Sequence, residues 1–359
     1  MSNRQPRASG YFRTSYAQEQ ALLQTRSEKF CAMVCALALL AFPLLATPFQ
    51  LDLACQTFLA CVGAISLMLL TGYAGQVSLG HAGLIAAGAF TAGILFRETG
   101  TPIWATLPAA GLVGALLGLV FGLPSLRLRG LYLAVSTLAL HFVVVYIGGE
   151  YETKRGFSTG IVIDAPKIGG WTIDGNRTWY FILLAAAAIT LFVALNLLRT
   201  RTGRAWRAVR AHETVAGAFG IDVRRAKLSA FVVSSAITAI AGALFAHWRG
   251  FVSGEAFTLF LSVQYIAMII IGGMGSLLGA ILGAIFVTLF PYGIESAMRV
   301  FAGRVNPSVI FSINHAAFGL VMILFLVFEP LGLVGIWRRV QSYFLLWPFK
   351  QKPLAGARK

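Results

Sequence analysis

The chain has 359 residues, of which 58% are apolar and only 12% charged, and its mean hydropathy is +0.78. A soluble domain averages about 45–50% apolar and about 25% charged residues, so too little polar surface exists here to cover a water-soluble globule. The net charge of +16 is no nucleic-acid footprint: 19 of the 29 Lys and Arg fall in 1–29, 199–227 and 338–359, beside long apolar runs, and no aromatic-interleaved basic patch of RNA-binding type appears.

A membrane helix needs about 20 mostly apolar residues. In chain order that rule gives runs at roughly 30–47, 51–71, 76–96, 103–123, 131–148, 179–198, 228–248, 263–290 and 308–328. The fold class that follows is an all-α polytopic membrane protein, with about 8–10 transmembrane segments including broken or re-entrant helices. Residues 1–29 are a polar N-terminal extension, 30–337 the transmembrane domain and 338–359 a basic tail. No small-residue cleavage site marks the first run, which reads as a retained helix. Cys31, Cys35, Cys55 and Cys61 all lie in the first two runs, make no metal set, and read as small hydrophobes.

The third run opens on Gly72-Tyr73-Ala74-Gly75-Gln76-Val77-Ser78-Leu79-Gly80-His81. Gln76, Ser78 and His81 are polar groups in an apolar run, which either face a cavity or hydrogen-bond between helices. Further on, Gly114, Gly118 and Gly122 recur at four-residue spacing, as do Gly279 and Gly283, which is close-packing geometry. Residues 148–178 form a loop with Trp171 and Trp179 near its end, suited to an interfacial belt. His141, Asn314 and His315 lack a surrounding motif and read as packing residues.

With a cytoplasmic N-terminus, six crossings return the chain to the cytoplasm at 199, in agreement with the eight basic residues of 199–227. Arg204, Arg207 and Arg210 recur there with Trp206 and several alanines, which predicts a short amphipathic helix. The basic tail also belongs inside, so the run 263–290 must enter and return. Its natural break is Gly272-Gly273-Met274-Gly275-Ser276, and its length suggests two short arms meeting near the midplane. Gly72/Gly75/Gln76 and Gly272/Gly275/Ser276 share the pattern G-x-x-G-[QS], and paired interruptions in two halves point to a transport path.

The stretch Gly72–Gly83 with Gly88-Ala89-Phe90 resembles the signature of branched-chain amino-acid ABC importer permeases of the LivM type. So do Leu128-Arg129-Gly130-Leu131-Tyr132, Thr202-Gly203-Arg204-Ala205-Trp206-Arg207, Ile271-Gly272-Gly273-Met274-Gly275-Ser276 and Glu329-Pro330-Leu331-Gly332-Leu333. These blocks stand in the family's order over about residues 55–335. The outer loop Gly156-Phe157-Ser158-Thr159-Gly160-Ile161 departs from the family's more glycine-rich form.

The resemblance implies a non-catalytic permease subunit in a bacterial cytoplasmic membrane, with both termini cytoplasmic. Its implied partners are a second related permease subunit, two ATP-binding subunits, a periplasmic substrate-binding protein and the lipid bilayer, without nucleic acid. Translocation-path candidates are Gly75, Gln76, Ser78, His81, Gly272, Gly273, Gly275 and Ser276. Candidates for coupling to the ATPases are Arg204, Arg207, Arg210, Glu213 and Gly220, the arginines being expected to present charge to the partner. No cofactor, metal or catalytic residue is expected.

The chain has no G-x-x-x-x-G-K-[ST] phosphate loop, so ATP work must be done on another chain. Related permeases carry branched-chain amino acids, urea, short amides or small organic acids, and the sequence leaves the choice open. An ion-coupled secondary transporter is the rival of another class. Its acidic relay would be hard to place, because the 13 acidic residues fall in loops or at the ends of runs. A passive channel would leave the basic helix without a purpose.

Overall fold

The computed structural model describes residues 26–346 apart from 129, 157–159, 169–170, 174, 303–306 and 330. The first 25 residues of the extension, the tail from 347, the loop residues 157–159 and the side chain of Asn314 lie outside the described residues.

The described chain is almost wholly helical. Its helices are α1 (Arg26–Leu45), α2 (Pro48–Leu67), α3 (His81–Thr99), α4 (Ile103–Ser125), α5 (Leu131–Lys154) and α6 (Asn176–Leu197). There follow α7 (Arg201–Ala211), α8 (Glu213–Ala218), α9 (Val223–Arg249), α10 (Leu259–Gly272), α11 (Leu277–Ala302), α12 (Pro307–Phe328) and α13 (Gly332–Leu346). Seven helical stretches among the described residues are long and apolar enough to cross a membrane, and α1, α3 and α12 are further apolar helices. The chain is an all-α polytopic membrane protein. Leucines, valines and phenylalanines on the outer faces of α1, α4, α5 and α6 stay exposed, as a lipid solvent requires.

Backbones touch where glycines were spaced for it. On α4, a Cβ at Gly114 would strike Ser235 and Ala239 of α9, and one at Gly118 would meet Phe231 and Val232. A Cβ at Gly88 of α3 would overlap the Ala239 carbonyl from the other side. Helix α9 is thus the central post, held between α3 and α4. Buried hydroxyls fasten it to α2: Ser66 Oγ lies 2.8 Å from Thr238 Oγ1, and Ser234 Oγ donates to the Ser66 carbonyl at 2.8 Å.

At the end remote from α7, β1 (Ile161–Val162) pairs antiparallel with β4 (Phe251–Val252) and clips the 155–175 loop to the end of α9. Strands β2 (Lys167–Ile168) and β3 (Trp171–Thr172) make a small hairpin in the same loop. Trp179 does not join an interfacial belt. It is 6% exposed and packed with Leu51 and Ile103 in a core cluster, because the first turn of α6 lies against α2.

Two runs differ from the sequence reading. The third apolar run is helical only from His81, and residues 74–80 are irregular. The run 263–290 does break at Gly273–Ser276, yet its second arm is a helix of 26 residues that continues through Pro291. Gly275 N lies on Met68 at one end of α2, and Tyr292 packs on Phe49 and Gln56 at the other. Helix α11 therefore covers the whole length of α2, and the turn before it sits at the bundle's α7 end instead of midway. Proline ended the apolar run without ending the helix.

Candidate functional site

The two glycine turns predicted to correspond are neighbours. Helix α2 ends in a π-turn over Met68–Tyr73, which widens the backbone before Gly75 takes φ +72°. The other turn carries Gly273 at φ +114° and Gly275 at φ +90°, conformations that a side chain would strain. Gly275 N donates to Met68 Sδ at 3.2 Å, and a Cβ on Gly72 would stand 3.2 Å from that same amide. The start of α13 closes the far side: a Cβ on Gly332 would crowd the Ile271 carbonyl and Gly273 N.

From Gly75 the chain climbs back into the bundle. The ring of His81 lies 4.7 Å from that of Tyr265, and the Tyr265 ring fills the notch at Gly63 on α2. Gly63 lies about 15 Å before the end of the π-turn, at 1.5 Å per residue. Helix α3 thus begins inside the bundle, with irregular backbone leading to it. Such backbone survives at membrane depth only when its amides find partners, and they do. Leu79 N donates to Thr137 Oγ1 at 3.0 Å, Gly80 N to Ser78 Oγ at 3.3 Å and Ala82 N to Ser262 Oγ at 2.9 Å.

The path candidates now separate. Gln76 is 4% exposed and donates to the Ala74 carbonyl at 3.2 Å, while its own carbonyl accepts from Thr71 at 2.9 Å. Ser78 is 1% exposed and caps the approach to α3. Both side chains hold the turn's shape. His81 is different: it is buried, and its Nε2 has no hydrogen-bond partner among the described residues. Ser276 Oγ accepts from Gly279 N at 3.4 Å and opens α11.

The loop between α6 and α9 is built as a rigid unit. Thr200 caps α7, Trp206 is fully buried with its Nε1 donating to Ser229 Oγ at 3.0 Å, and Val209 is buried beside it. Arg204 donates to the Arg199 carbonyl at 2.6 Å and Arg207 to the Leu198 carbonyl at 2.8 Å. Both guanidinium groups therefore bind carbonyls just past the end of α6, a favoured place for cations. Arg210 reaches the carbonyl of Gly72.

Glu213 forms an ion pair with buried Lys227 at 2.7 Å, beside a cavity of about 230 Å³. Gly220, at φ +80°, ends α8 with Ile221 N donating back to the Ala216 carbonyl at 3.1 Å, the Schellman arrangement. Arg204, Arg207 and Arg210 stay exposed on α7 while making these contacts within the chain. Val215 at 50% and Phe219 at 82% are exposed on the same loop.

Sequence reading passed over Met68, Thr137, Ser262, Tyr265 and Lys227. Thr137 and Tyr265 carried the signal of polar residues within apolar runs, and Ser262 and Lys227 stand one residue before such runs. Among the described residues no three His, Cys, Asp or Glu side chains gather as a metal group.

The family profile described as "Branched-chain amino acid transport system / permease component" matches residues 50–328. The chain is 31% identical over 338 residues to the high-affinity branched-chain amino acid transport system permease protein LivM of Salmonella typhimurium, covering 88% of this chain and 76% of that one. It is 30% identical over 244 residues to the probable LivM of Methanocaldococcus jannaschii, covering 63% and 66%. The autoinducer 2 import system permease protein LsrC of Enterobacter sp. is 28% identical over 191 residues, covering 49% and 51%. No solved structure matches significantly.

Proposed function

The chain belongs to the branched-chain amino acid transport permease family, and from that premise we propose that it forms half of a translocation path for branched-chain or related amino acids. A second related permease subunit supplies the other half. Two ATP-binding subunits drive the pair from the cytoplasm, and a periplasmic binding protein delivers the solute. The membrane is the bacterial cytoplasmic membrane. The α7 end faces the cytoplasm and the 155–175 loop faces out, so the ten apolar helices alternate and both termini lie inside.

The observation that carries this reading is the meeting of the two glycine turns with the loop helix at one end of the bundle. A passive pore has no need of a rigid basic helix fastened to its own closing turns. In an ATP-driven importer the same contact joins the place where force arrives to the place where the path is shut. The path candidates Gly75, Gln76, Ser78, His81, Gly272, Gly273, Gly275 and Ser276 then divide into turn-shaping residues and His81 as the lining group. Glu213 and Gly220 fix the shape of the docking loop.

The test is uptake in vesicles reconstituted with the full complex. Leucine uptake that requires internal ATP and the binding protein supports the proposal. Uptake of urea, a short amide or a small organic acid, with leucine refused, keeps the mechanism and changes the cargo. Uptake that follows an ion gradient and ignores ATP overturns it.

A further inference from the structure

Arg201, Arg204, Arg207 and Arg210 recur at three-residue spacing on α7, and Arg210 is the one that reaches the glycine turns. Arg204 and Arg207 bind carbonyls of residues 199 and 198, immediately before their own helix. Arg210, in the last turn of α7, spans both glycine turns at once. Its stem lies on Gly75, where a Cβ would meet Arg210 Cγ at 3.1 Å and its Cα at 3.4 Å. Its guanidinium donates to the carbonyl of Gly72 and lies 2.9 Å from where a Cβ on Gly275 would stand. A Cβ at Gly75 would press on the Arg210 stem and backbone, and one at Gly275 would displace its guanidinium.

The two turns are also tied to one another, through Gly275 N and Met68 Sδ. The helix that carries Arg210 cannot slide freely, since Trp206 and Val209 anchor it in the core. A rigid helix, a planar multidentate side chain and two side-chain-free turns make one mechanical link. A lysine has a single donor centre and would hold one turn at a time.

We infer that Arg210 is a positioning residue that carries displacement of α7 to the 72–75 and 273–275 turns together, so that both move as one closing element. The inference rests on the reading of the chain as an ATP-driven importer subunit. It adds the residue through which the drive passes.

The test uses the complete complex, purified through an ATP-binding subunit and reconstituted, with Arg210→Met, Arg210→Gln and Arg210→Lys. If the unaltered complex shows no ATP-driven uptake, the importer reading fails, whatever the variants do. If it does, Arg210→Met is expected to lower solute moved per ATP hydrolysed about tenfold, a coupling effect of ordinary size, and Arg210→Lys to recover part of it. A second readout separates transmission from mere support. With cysteines placed singly at Thr214 and Met274, vanadate trapping should change labelling at both in the parent. In Arg210→Met the response at 214 should persist and that at 274 should vanish.

Should Arg210→Met fail to assemble, Arg210→Gln decides by the same two readouts. A parental solute-to-ATP ratio, or a parental response at 274, in either neutral variant overturns the inference. Loss of assembly in all three variants also overturns it, in favour of a purely structural role.

Discussion

Lys227 Nζ lies 2.7 Å from Glu213 Oε1, with the lysine 4% and the glutamate 24% exposed. The same ammonium donates to the Ser125 carbonyl at 3.4 Å, so one buried cation joins the end of α4, the start of α8 and the first turn of α9. Glu213 thereby positions the loop from within. Removing one partner of a buried pair leaves an uncompensated charge, at a cost of about 3–5 kcal/mol. Glu213→Ala should lower the melting temperature of the detergent-purified complex, followed by fluorescence-detected size exclusion after heating. Glu213→Leu with Lys227→Met should recover most of that loss, because an apolar pair fills the space without desolvating an ion. A parental melting curve for Glu213→Ala would show that the pair does not hold the loop.

The helical hairpin α10–α11 sets the second expectation. Helix α11 is antiparallel to α2 over its full length, so Met274 and Glu255 lie at opposite ends of the bundle. In a background without native cysteines, a cysteine at 255 should react with an impermeant maleimide added to intact cells. One at 274 should react only in inside-out vesicles, since Met274 is half exposed at the α7 end. Labelling of both from the same side would refute the hairpin.

Much of this arrangement was legible in the sequence. Apolar length gave the helices, the Lys and Arg distribution gave the basic end, and parity required 263–290 to turn back at its glycines. Hydropathy erred where it has no information. It ended a helix at Pro291 because proline and Glu295 interrupt the apolar run, although a proline inside a helix is tolerated at membrane depth. It began a helix at Gln76 because the irregular stretch is as buried as a helix would be. The side-chain assignments were the least legible. Arg204, Arg207 and Arg210 are equivalent by spacing, yet their partners come from residues 198, 199 and 72. Only the fold shows that the third arginine leaves its loop.

His81 lies fully buried against Tyr265 at the start of α3. His81→Phe keeps an aromatic ring for that contact and deletes both ring nitrogens, Nε2 without a partner among the described residues and the one bonded to the Gly63 backbone. If His81 lines the path, uptake should fall severalfold while assembly and melting temperature stay near the parental values. Gln76→Leu should behave in the opposite sense. It removes a bond that shapes the turn, worth about 1 kcal/mol, so stability should fall along with uptake. Unaltered uptake in His81→Phe would reduce the histidine to a packing residue.

The docking face is the last expectation, and exposed apolar residues on α8 and just after it extend it beyond the arginines. Charge reversal at Arg207 would free the carbonyls of Leu198 and Gly203, so weakened binding of the ATPases in that variant would say little about contact. Val215 and Phe219 stand on the outward side of α8 with no packing role to lose, Phe219 being 82% exposed. If the loop docks on an ATP-binding subunit, an exposed aromatic residue at its tip is suited to fill a pocket there. Phe219→Ala should weaken association with the ATP-binding subunits about tenfold, equivalent to about 1.4 kcal/mol. The permease's own melting temperature should be unchanged, because nothing in its core touches that ring. Arg204→Ala should do the reverse, loosening the α6–α7 junction and lowering the melting temperature before it affects binding. Titration of detergent-solubilised permease with purified ATP-binding subunits, alongside thermal melts of each variant alone, separates the two effects. Equal affinity for Phe219→Ala and the parent would place the contact elsewhere on the loop.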